Sequence, residues 1–460
     1  MRVLLVSTYE MGHQPIGLAS PAAALGAAGH EVTCLDLAVA SGEADALARA
    51  ELVGVSVPMH TAARLGIEFA RRLRQVNNSA KVVFYGLYAS PLYDRLVDSG
   101  LADFVFGGEY ESGLVALAGH LSGGQRAAPE IPGAGRQPAF DRQKFLLPDR
   151  GGLPGLEHYA RLKIGDQLRL VGYVEASRGC AHTCRHCPIT PVYGGRLRLV
   201  QPEVVLADID QLVALGAEHI TFGDPDFFNA LPHSFAILEE LHRRHPHISF
   251  DATIKVEHLL EYAARLPSLR DFGCAFITSA FESTDDQVLG RLAKGHTRED
   301  MELALAQATT VGLVIRPTWV AFTPWTTVQG FVNLLDFVER HGLVANVQPV
   351  QYGLRLLLPP GSPLIEVVAQ TGALGAFDDE RLTYTWTGPD RCVDDLQAEV
   401  AGIVEAAALA GVGGNGPSEL ATFTEVKRAA LRALTGRDVA VDVAPQPERP
   451  VPGLTEAWFC

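Results

Sequence analysis

Three cysteines, Cys180, Cys184 and Cys187, stand close together in a C-x3-C-x2-C arrangement. One short loop therefore supplies three soft thiolate ligands, the ligand type that iron-sulfur clusters select. A cubane of four irons needs four ligands, so three cysteines leave one iron open. An open coordination position distinguishes a catalytic metal centre from a closed structural one. The spacing therefore predicts an iron-sulfur cluster that binds a small molecule at its free iron.

Two other interpretations fit the same loop. His182 and His186 lie between the cysteines, so a Cys3His zinc site is one alternative. Zinc knuckles usually pair two short Cys/His spacings, however, and the sequence shows no second pair. Chance clustering of core cysteines is the weaker alternative, because the remaining cysteines are dispersed along the chain at Cys34, Cys274, Cys392 and Cys460.

The segment before the cysteines adds a resemblance to a known family. Leu168–Val174 reads as a short strand that leads into a loop containing glycine. This order is similar to the radical S-adenosylmethionine (radical SAM) enzymes, whose cluster loop follows the first strand of a partial barrel. The resemblance implies that the three cysteines hold a four-iron four-sulfur (4Fe-4S) cluster, whose open iron chelates S-adenosylmethionine. Electron transfer would then cleave the sulfonium and give a 5'-deoxyadenosyl radical.

A second stretch resembles the sequence motif that, in this family, receives the amino group of S-adenosylmethionine. The predicted strand His219–Phe222 ends in Gly223-Asp-Pro-Asp-Phe-Phe228, which looks like an acidic variant of that motif. Asp224 and Asp226 are therefore candidate acceptors for an ammonium donor. A turn stabilised by the Asp-Pro pair is the alternative.

Two later stretches complete the cofactor-binding residues that the resemblance implies. Glu282 and Ser283 resemble the site that holds the ribose and the carboxylate of the cofactor. The strand that ends near Pro324 corresponds to the one whose end meets the adenine. No catalytic residue beyond the metal ligands is assigned.

The elements around these motifs predict an incomplete (β/α)6 barrel over residues 166–363, with chemistry at the carboxyl ends of its strands. The predicted strands are Leu168–Val174, His219–Phe222, Ser249–Ile254, Cys274–Ser279, Leu313–Phe322 and Val347–Pro360. Residues 364–438 are predicted to be helical, with helices over Leu396–Leu409 and Ser418–Leu434. Residues 439–460 read as an extended, proline-rich tail.

The N-terminal residues 1–122 alternate predicted strands and helices, which is typical of a Rossmann-like, doubly wound parallel sheet. The expected strands are Arg2–Ser7, Glu31–Leu37, Leu52–Val57, Lys81–Tyr85 and Phe104–Phe106, with helices over Ala19–Ala28 and Ala62–Val76. Residues 123–165 are rich in Gly, Pro and Arg and are predicted to be a linker. The whole chain is thus predicted to be an α/β protein of two sheets and a helical C-terminal region.

The N-terminal domain resembles the cobalamin-binding domain that precedes the barrel in one large radical SAM subgroup. The matching stretches are the opening strand, Gly17-Leu-Ala-Ser-Pro21, Gly29-His-Glu-Val32 and Gly107-Gly-Glu109. Two features depart from the subgroup. The sequence has no Asp-x-His-x-x-Gly motif to give cobalt a lower histidine ligand, and Tyr85-Gly-Leu-Tyr88 stands where Gly-Gly-x-His is usual. Cobalamin binding is one alternative, and a domain used for packing or substrate access is the other.

Several polar side chains near predicted strand ends are candidates for contacts with a ligand or substrate, and internal pairing is the alternative for each. They are His13, His60, Lys255, Glu257, Arg316 and Arg355.

The composition of the 460 residues narrows the classes of partner. Hydrophobic residues make up 47% of the chain, enough for sizeable cores, and the net charge is −15. An acidic chain lacks the basic face that a general nucleic-acid binder needs. The opening residues read as a strand and not as a signal peptide, and no apolar run is long enough for a membrane span. A clustered set of thiols predicts the reducing cytoplasm.

A closer resemblance covers nearly the whole chain. It is to cobalamin-type radical SAM proteins named for a Cys-Sec-Ala-Glu-Pro or Cys-Cys-Ala-Glu-Pro tail, and it is carried by Met1–Glu10, Cys184–Pro188 and Gly223–Phe228. In that family the tail begins where this sequence ends, at Cys460. The expectation is a selenocysteine codon, UGA, after Cys460, whose vicinal thiol and selenol could form a redox pair. An ordinary C-terminal cysteine is the alternative.

These features together predict a radical SAM enzyme that receives electrons from a flavodoxin or ferredoxin. With cobalamin, the expected outcome is methyl transfer to an unactivated carbon or another soft atom. Without it, hydrogen abstraction followed by rearrangement or coupling is expected. An iron-sulfur electron-transfer or sensor protein is an alternative of another class. A third is a protein that handles a soft element through its C-terminal thiol or selenol.

Overall fold

The computed structural model describes residues 1–40, 44–123, 131, 133–140, 143–411, 417–444 and 450–456 of the chain. Two mainly parallel sheets follow one another along the sequence, and helices pack on their faces. A mostly helical C-terminal region completes the molecule. This α/β architecture is the predicted fold class.

The first sheet and its helices comprise β1 (Arg2–Ser7), α1 (Ile16–Ala27), β2 (Glu31–Asp36), α2 (Ala44–Arg49), β3 (Leu52–Ser56), α3 (His60–Val76), β4 (Lys81–Tyr85), α4 (Tyr93–Asp98), β5 (Phe104–Phe106) and α5 (Glu111–Ser122). The strands are all parallel, in the order β2-β1-β3-β4-β5. Leu18 of α1 and Leu114 of α5 lie in the core on one face of the sheet, and Ile67 of α3 and Leu96 of α4 lie in the core on the other. The doubly wound prediction is confirmed.

Helix α1 begins earlier than the sequence predicted. The expected start was Ala19, whereas the helix begins at Ile16, directly after Pro15. Gly17 and Pro21 weaken the helical signal of this stretch. Ile16 and Leu18 are buried, however, and this burial offsets the low helix propensity.

The second sheet and its surroundings comprise β6 (Arg161–Ile164), β7 (Gln167–Val174), β8 (Ser177–Gly179), α6 (Ile189–Tyr193), β9 (Leu197–Leu199), α7 (Pro202–Ala214), β10 (His219–Phe222), α8 (Leu231–Arg244), β11 (Ser249–Thr253), α9 (Val256–Glu261), α10 (Leu266–Asp271), β12 (Cys274–Glu282), α11 (Asp286–Leu292), α12 (Arg298–Thr310), β13 (Ile315–Trp319) and α13 (Val328–Arg340). Strands β7, β10, β11, β12 and β13 are neighbours and parallel, as in a partial barrel. Strand β6 extends the sheet in the antiparallel sense, and β8 pairs with β9 as a separate ribbon.

The predicted sixth strand over Val347–Pro360 has a different structure. Its first part contains the short helix α14 (Val350–Gly353), and the rest makes a single bridge in which Arg355 pairs with Phe322. Pro359 and Pro360 have no N–H to donate, so the ladder cannot continue through them. The sixth position of the partial barrel is therefore held by this one bridge.

The C-terminal region contains α15 (Leu364–Ala369), β14 (Leu374–Asp378), β15 (Thr383–Trp386), α16 (Arg391–Gly411), α17 (Glu419–Thr435) and β16 (Gly453–Leu454). The antiparallel pair β14 and β15 was not expected in a region predicted to be helical. Val400 of α16 and Phe423 of α17 belong to the same hydrophobic core as the barrel. These two helices therefore cover the barrel rather than forming a core of their own.

The connector between the sheets is anchored to both. Arg150 is buried, and its guanidinium makes a bidentate pair with Asp208 of α7 at 2.7 and 2.8 Å. The same guanidinium donates to the Gln14 side chain of the first domain at 2.8 Å. Single bridges also join Phe106 to Ala134 and Gly108 to Ala139. Among the described residues, no helix is both long and apolar enough to cross a membrane.

Candidate active site

The carboxyl ends of both sheets open onto one cavity of about 1130 Å³. The first sheet contributes Glu10 and Tyr88 to its walls, and the second contributes the cysteine loop, Gly223 and Glu282. Pockets for one small ligand are usually about 300–1,000 Å³. The cavity is therefore large enough for a cofactor and a further molecule.

The three predicted metal ligands, Cys180, Cys184 and Cys187, all lie on the wall of this cavity. The first two are buried and the third is half-buried. Gly179 precedes them with φ of +74°, and a Cβ atom there would stand 2.4 Å from the Arg196 carbonyl oxygen, so the loop requires glycine. Burial raises the pKa of the Cys180 thiol, and that of Cys187 to about 12. A positive metal centre would supply the charge that stabilises the thiolates here.

Asp224, a predicted acceptor, supports the segment that enters the cysteine loop. Both of its carboxylate oxygens accept hydrogen bonds, one from the backbone N–H of Ala176 at 3.0 Å and one from the Ser177 hydroxyl. Burial raises the pKa of Asp224 to about 7. Asp224 therefore lines the cavity with its oxygens already engaged.

Asp226, the other predicted acceptor, is also engaged by protein groups. Its Oδ1 accepts from the backbone N–H of Phe228 at 3.3 Å and of Lys255 at 3.4 Å. Its Oδ2 faces two imidazoles, 3.3 Å from Nε2 of His182 and 2.7 Å from Nδ1 of His258. Burial opposes ionisation, but the two histidines lower the pKa of Asp226 to about 2. The sequence did not predict this grouping, because it joins two separate loops and helix α9.

Glu282 lies on the cavity wall within a buried ion-pair cluster. Its Oε1 is 3.1 Å from Nε2 of His186 and 3.4 Å from Nζ of Lys294. Burial opposes its charge, but these two partners lower the pKa of Glu282 to about 2. Burial likewise opposes the charge of Lys294, but Glu282, Cys184 and Cys187 raise its pKa. A positive charge is therefore held beside the cysteines, a feature that sequence reasoning missed.

Glu282 also has an unusual backbone conformation. Its φ is +65°, a region that side chains other than glycine rarely adopt. Such strain persists only where the surroundings hold it, and it is concentrated at functional sites.

Two predicted cofactor residues do not line the cavity. Ser283 accepts a hydrogen bond from the backbone N–H of Asp285 at 3.1 Å, at the start of α11. Pro324 is buried beyond the end of β13. Neither is among the described residues on the cavity wall.

Three of the charged candidates line the cavity, and each has a partner within the protein. Lys255 pairs with Glu257, Arg316 donates to the Pro452 carbonyl at 3.0 Å, and Arg355 pairs with Asp394 at 2.8 Å.

The two candidate histidines of the first domain are held by other parts of the chain. His13 is buried and stacks on Tyr173 of β7 with ring centroids 4.5 Å apart. Burial lowers the pKa of His13 to about 4, so the ring is neutral at physiological pH. Nε2 of His60 lies 2.6 Å from the Arg381 carbonyl oxygen. Both imidazoles thus join the first domain to the rest of the molecule.

A buried arginine holds several carboxylates where the two sheets meet. Nη1 of Arg178 is 2.8 Å from Glu111 and 3.4 Å from Glu109, and its Nε is 2.8 Å from Glu175. The guanidinium also lies over the rings of Tyr110 and Phe145, each 5.1 Å away. Sequence reasoning missed this network, although Arg178 stands just before the cysteines.

The carboxyl edge of the first sheet (the first edge) has an interior filled by side chains and a surface that is open to the cavity. The Tyr85 side chain is fully buried, and its hydroxyl donates to the Gly17 carbonyl at 2.8 Å. A Cβ atom on Gly54 would lie 3.0 Å from the Tyr85 ring, and one on Gly108 would lie 2.4 Å from the Ala139 carbonyl. The surface facing the cavity is largely apolar, with Met11, Pro58, Leu87 and Tyr88. The first edge therefore fits a flat ring laid across it, and leaves no room for a group inserted into the sheet.

Residues 450–456 lead into the same cavity. Strand β16 pairs with β6, and Leu454 and Glu456 line the cavity. The Tyr9 hydroxyl donates to Oε1 of Glu456 at 2.5 Å, and the Gln348 side chain donates to its carbonyl at 3.3 Å. Cys460, for which a redox role was predicted, lies outside the described residues.

Two family comparisons agree with this arrangement. The B12 binding domain family matches residues 2–118, and the Radical SAM superfamily matches residues 174–323. The chain therefore combines the two domain types of cobalamin-type radical SAM proteins, the general class that its sequence resembles.

Individual relatives are distant. The hopanoid C-3 methylase of Methylococcus capsulatus is 26% identical over 326 residues, which make up 66% of this chain and 62% of that protein. The chain spans between 25% and 62% of the length of the first three curated relatives it matches.

Two solved structures share most of the fold. The radical S-adenosylmethionine methyltransferase TsrM from Kitasatospora setae has a TM-score of 0.67 at 20% identity, covering 84% of this chain and 86% of that one. The cobalamin-dependent S-adenosylmethionine radical enzyme OxsB has a TM-score of 0.73 at 15% identity, covering 94% of this chain and 72% of that one. At these identities the similarity shows the shared fold of a Rossmann-like sheet and a partial barrel.

Proposed function

We propose that the chain is a radical SAM enzyme that cleaves S-adenosylmethionine on a 4Fe-4S cluster bound by Cys180, Cys184 and Cys187. The observation that carries this proposal is the position of the three cysteines together on one wall of the large cavity. Three thiolates with an open fourth position suit such a cluster. When bound, the cluster supplies one electron to the sulfonium, whose cleavage gives a 5'-deoxyadenosyl radical.

Other residues of the cavity wall have supporting roles in this function. The Gly223–Asp226 loop and Glu282 face S-adenosylmethionine, because both line the cavity together with the cysteines. Asp224 acts through the loop, since it fixes Ala176 and Ser177 at the approach to the cysteines. Ser283 and Pro324 stay predictions from the resemblance, since neither lines the cavity.

We propose further that a cobalamin cofactor lies with its corrin ring on the apolar surface of the first edge. Cobalamin would be held by Met11, Pro58, Leu87 and Tyr88, because the buried Tyr85 fills the interior of the sheet behind them. His13 and His60 also line the cavity, but the His13 ring stacks on Tyr173 and Nε2 of His60 faces the Arg381 carbonyl oxygen, so the proposal assigns neither as a cobalt ligand. When bound, cobalamin supplies methyl transfer to an unactivated carbon or another soft atom. The methylase and methyltransferase activities in the names of the relatives support this outcome.

The electron for cleavage comes, in this proposal, from a flavodoxin or ferredoxin in a reducing cytoplasm. Free thiols stay reduced in such a compartment.

The test is an anaerobic reconstitution with iron and sulfide, followed by S-adenosylmethionine, a strong reductant and cobalamin. Mass spectrometry should detect 5'-deoxyadenosine from the wild type, and none from Cys184→Ala. Cys392→Ala is the matched control, because Cys392 is an exposed cysteine outside the cavity. Additional adenosylhomocysteine that requires cobalamin would support methyl transfer. A well-formed cluster that cleaves no cofactor would contradict the enzyme and favour an electron-transfer or sensor protein.

We also propose membership in the family with the Cys-Sec-Ala-Glu-Pro or Cys-Cys-Ala-Glu-Pro tail. Its support is the resemblance of Met1–Glu10, Cys184–Pro188 and Gly223–Phe228. The nucleotide sequence after the Cys460 codon tests this proposal. A cysteine codon or UGA, followed by codons for Ala-Glu-Pro, would support it, and a UAA or UAG codon there would contradict it.

A further inference from the structure

Three side chains from separate elements converge beside the cysteine loop. His182 belongs to the loop itself, Asp226 follows β10, and His258 lies in α9. One possible ligand atom from each residue, Nε2 of His182, Oδ2 of Asp226 and Nδ1 of His258, lies within 4.8 Å of the other two. The fold therefore brings two imidazoles and one carboxylate to a common point.

These three atoms lack well-aligned hydrogen bonds. Oδ2 of Asp226 is 3.3 Å from one imidazole nitrogen and 2.7 Å from the other, yet none of the three atoms has a hydrogen-bond partner of acceptable geometry. The Asp226 side chain is 0% exposed, and that of His258 is 12% exposed. Buried polar atoms are almost always paired. Two imidazole nitrogens and one carboxylate oxygen that converge in this way have the donor set of a metal site.

Neighbouring groups orient Asp226 and His182 in a way that suits metal binding. Oδ1 of Asp226 is held by the backbone N–H groups of Phe228 and Lys255, which leaves Oδ2 for another partner. Nδ1 of His182 lies 3.8 Å from a carboxylate oxygen of Glu257. A carboxylate behind a metal-bound imidazole fixes the orientation of the ring and makes the ligand more basic.

We propose that His182, Asp226 and His258 bind one divalent transition-metal ion, of the Zn²⁺ or Fe²⁺ class. Two imidazoles and one carboxylate suit both ions and leave coordination positions open. His182 and Asp226 line the cavity, so the open positions face the space where cofactor and substrate meet. This site uses none of the cysteines and goes beyond the proposed function. The ligand it would take at the open position is water or an oxygen or nitrogen donor of the substrate.

The test uses the full chain with Cys180→Ala, Cys184→Ala and Cys187→Ala combined, so that no cluster can form. After treatment with a chelator, the protein is titrated with Co²⁺, whose visible absorption reports its ligands. The expected result is one Co²⁺ per chain, without a thiolate charge-transfer band, and displacement by Zn²⁺. Adding His258→Ala or Asp226→Asn should weaken binding by at least about tenfold, because losing even a supporting partner costs about 10–100-fold. Adding His242→Ala, on the outer part of α8, is the matched control and should leave binding unchanged.

A second arm covers the case in which the triple variant fails to fold. In the cluster-free wild type, Co²⁺ bound to cysteine gives a thiolate charge-transfer band, and Co²⁺ at the proposed site does not. His258→Ala should remove only the second component, and Cys184→Ala should weaken only the first. A folded protein that binds no Co²⁺ outside the cysteines, or that binds it equally after His258→Ala, would overturn the proposal. No S-adenosylmethionine is used, so this outcome would leave the proposed cofactor cleavage untouched.

Discussion

The carboxyl edges of the two sheets face the same cavity but carry different chemical groups. At the first edge, Tyr85 fills the interior, and Arg178, which enters from the barrel side, neutralises Glu109 and Glu111. One buried carboxylate oxygen of Glu10 has no hydrogen-bond partner there among the described residues. At the carboxyl edge of the barrel, three thiols line the cavity, and Glu282 is held in a strained conformation. Asp226 and its two histidines lie there without aligned hydrogen bonds.

This difference suggests that, within one cavity, some groups stabilise the fold and others carry the chemistry. Ligands of parallel sheets bind beyond the carboxyl ends of the strands, so both edges are candidate sites by topology alone. Groups that satisfy one another stabilise the fold, whereas strain and unmatched polar atoms persist where function requires them. We infer that the barrel edge carries the reactive groups of the chain itself and that the first edge is the opposing wall on which the proposed cobalamin would lie.

The largest expected effect is where the two sheets meet. Arg178→Met should destabilise the protein by about 3–5 kcal/mol, because it leaves buried carboxylates without their cation. Urea unfolding measures this loss, and adding Glu111→Gln should restore part of it. Arg243→Met, which removes an exposed pair with Glu240, is the control and should change little. Equal effects of the two arginine substitutions would break the comparison.

A smaller effect, dependent on pH, is expected at the barrel edge. The pKa of Asp224 is raised to about 7, so folding favours its protonated form. The stabilising contribution is complete below the unfolded pKa of about 4 and is lost as pH rises toward 7, by at most about 4 kcal/mol.

Asp224→Asn should remove this loss, because an amide stays neutral and can still pair with Ala176 and Ser177. Unfolding of the cluster-free protein at several pH values should show the variant gaining on the wild type between about pH 4 and 7. Parallel curves for the two proteins would show that Asp224 is ionised throughout.

Much of the fold could be predicted from the sequence, because strong periodic signals decide it. Strands β1, β4, β5 and β10 have the predicted bounds, since short apolar runs between turn residues fix them locally. The prediction of a sixth barrel strand was wrong, because the apolar run around Val350 and Leu356 does not distinguish a helix from a strand. The hairpin of β14 and β15 was missed, since its strands are short and half-exposed and carry no glycine turn.

The candidate site also contains residues that could be predicted from the sequence and residues that could not. The cysteines were predicted because all three ligands come from one loop, so their spacing is visible in the sequence. Lys294, Arg178 and the grouping of His182 with His258 depend on contacts between distant elements, which no local pattern encodes. For Lys294 and Arg178 the sequence offered one signal, a charged residue in a stretch that folds into the interior, where charges are rare.

The substitution Lys294→Met should lower the reduction potential of the cluster. Removing a buried cation beside Cys184 and Cys187 disfavours the reduced, more negative state, so the reduction potential should fall by roughly 60 mV, a tenfold change for one electron. A redox titration followed by electron paramagnetic resonance measures it. Lys163→Met, on the exposed side of β6, is the control. An unchanged potential would place Lys294 with the structural ion pairs, and would weaken the contrast between the edges.

The smallest effect is expected from Tyr85→Phe, which tests whether the interior of the first edge is structural. The ring stays in place, but the Gly17 carbonyl loses the hydroxyl that donates to it at 2.8 Å. A buried acceptor without a partner costs about 1–3 kcal/mol, so unfolding in urea should shift by about the lower value. Cobalamin binding, followed by absorbance, should be unchanged, because the proposed binding surface is formed by Met11 and Tyr88 and not by the Tyr85 hydroxyl. Cobalamin binding lost together with an unchanged unfolding curve would make Tyr85 a ligand-binding residue, and the interior of the first edge would then belong to the cofactor site together with its surface.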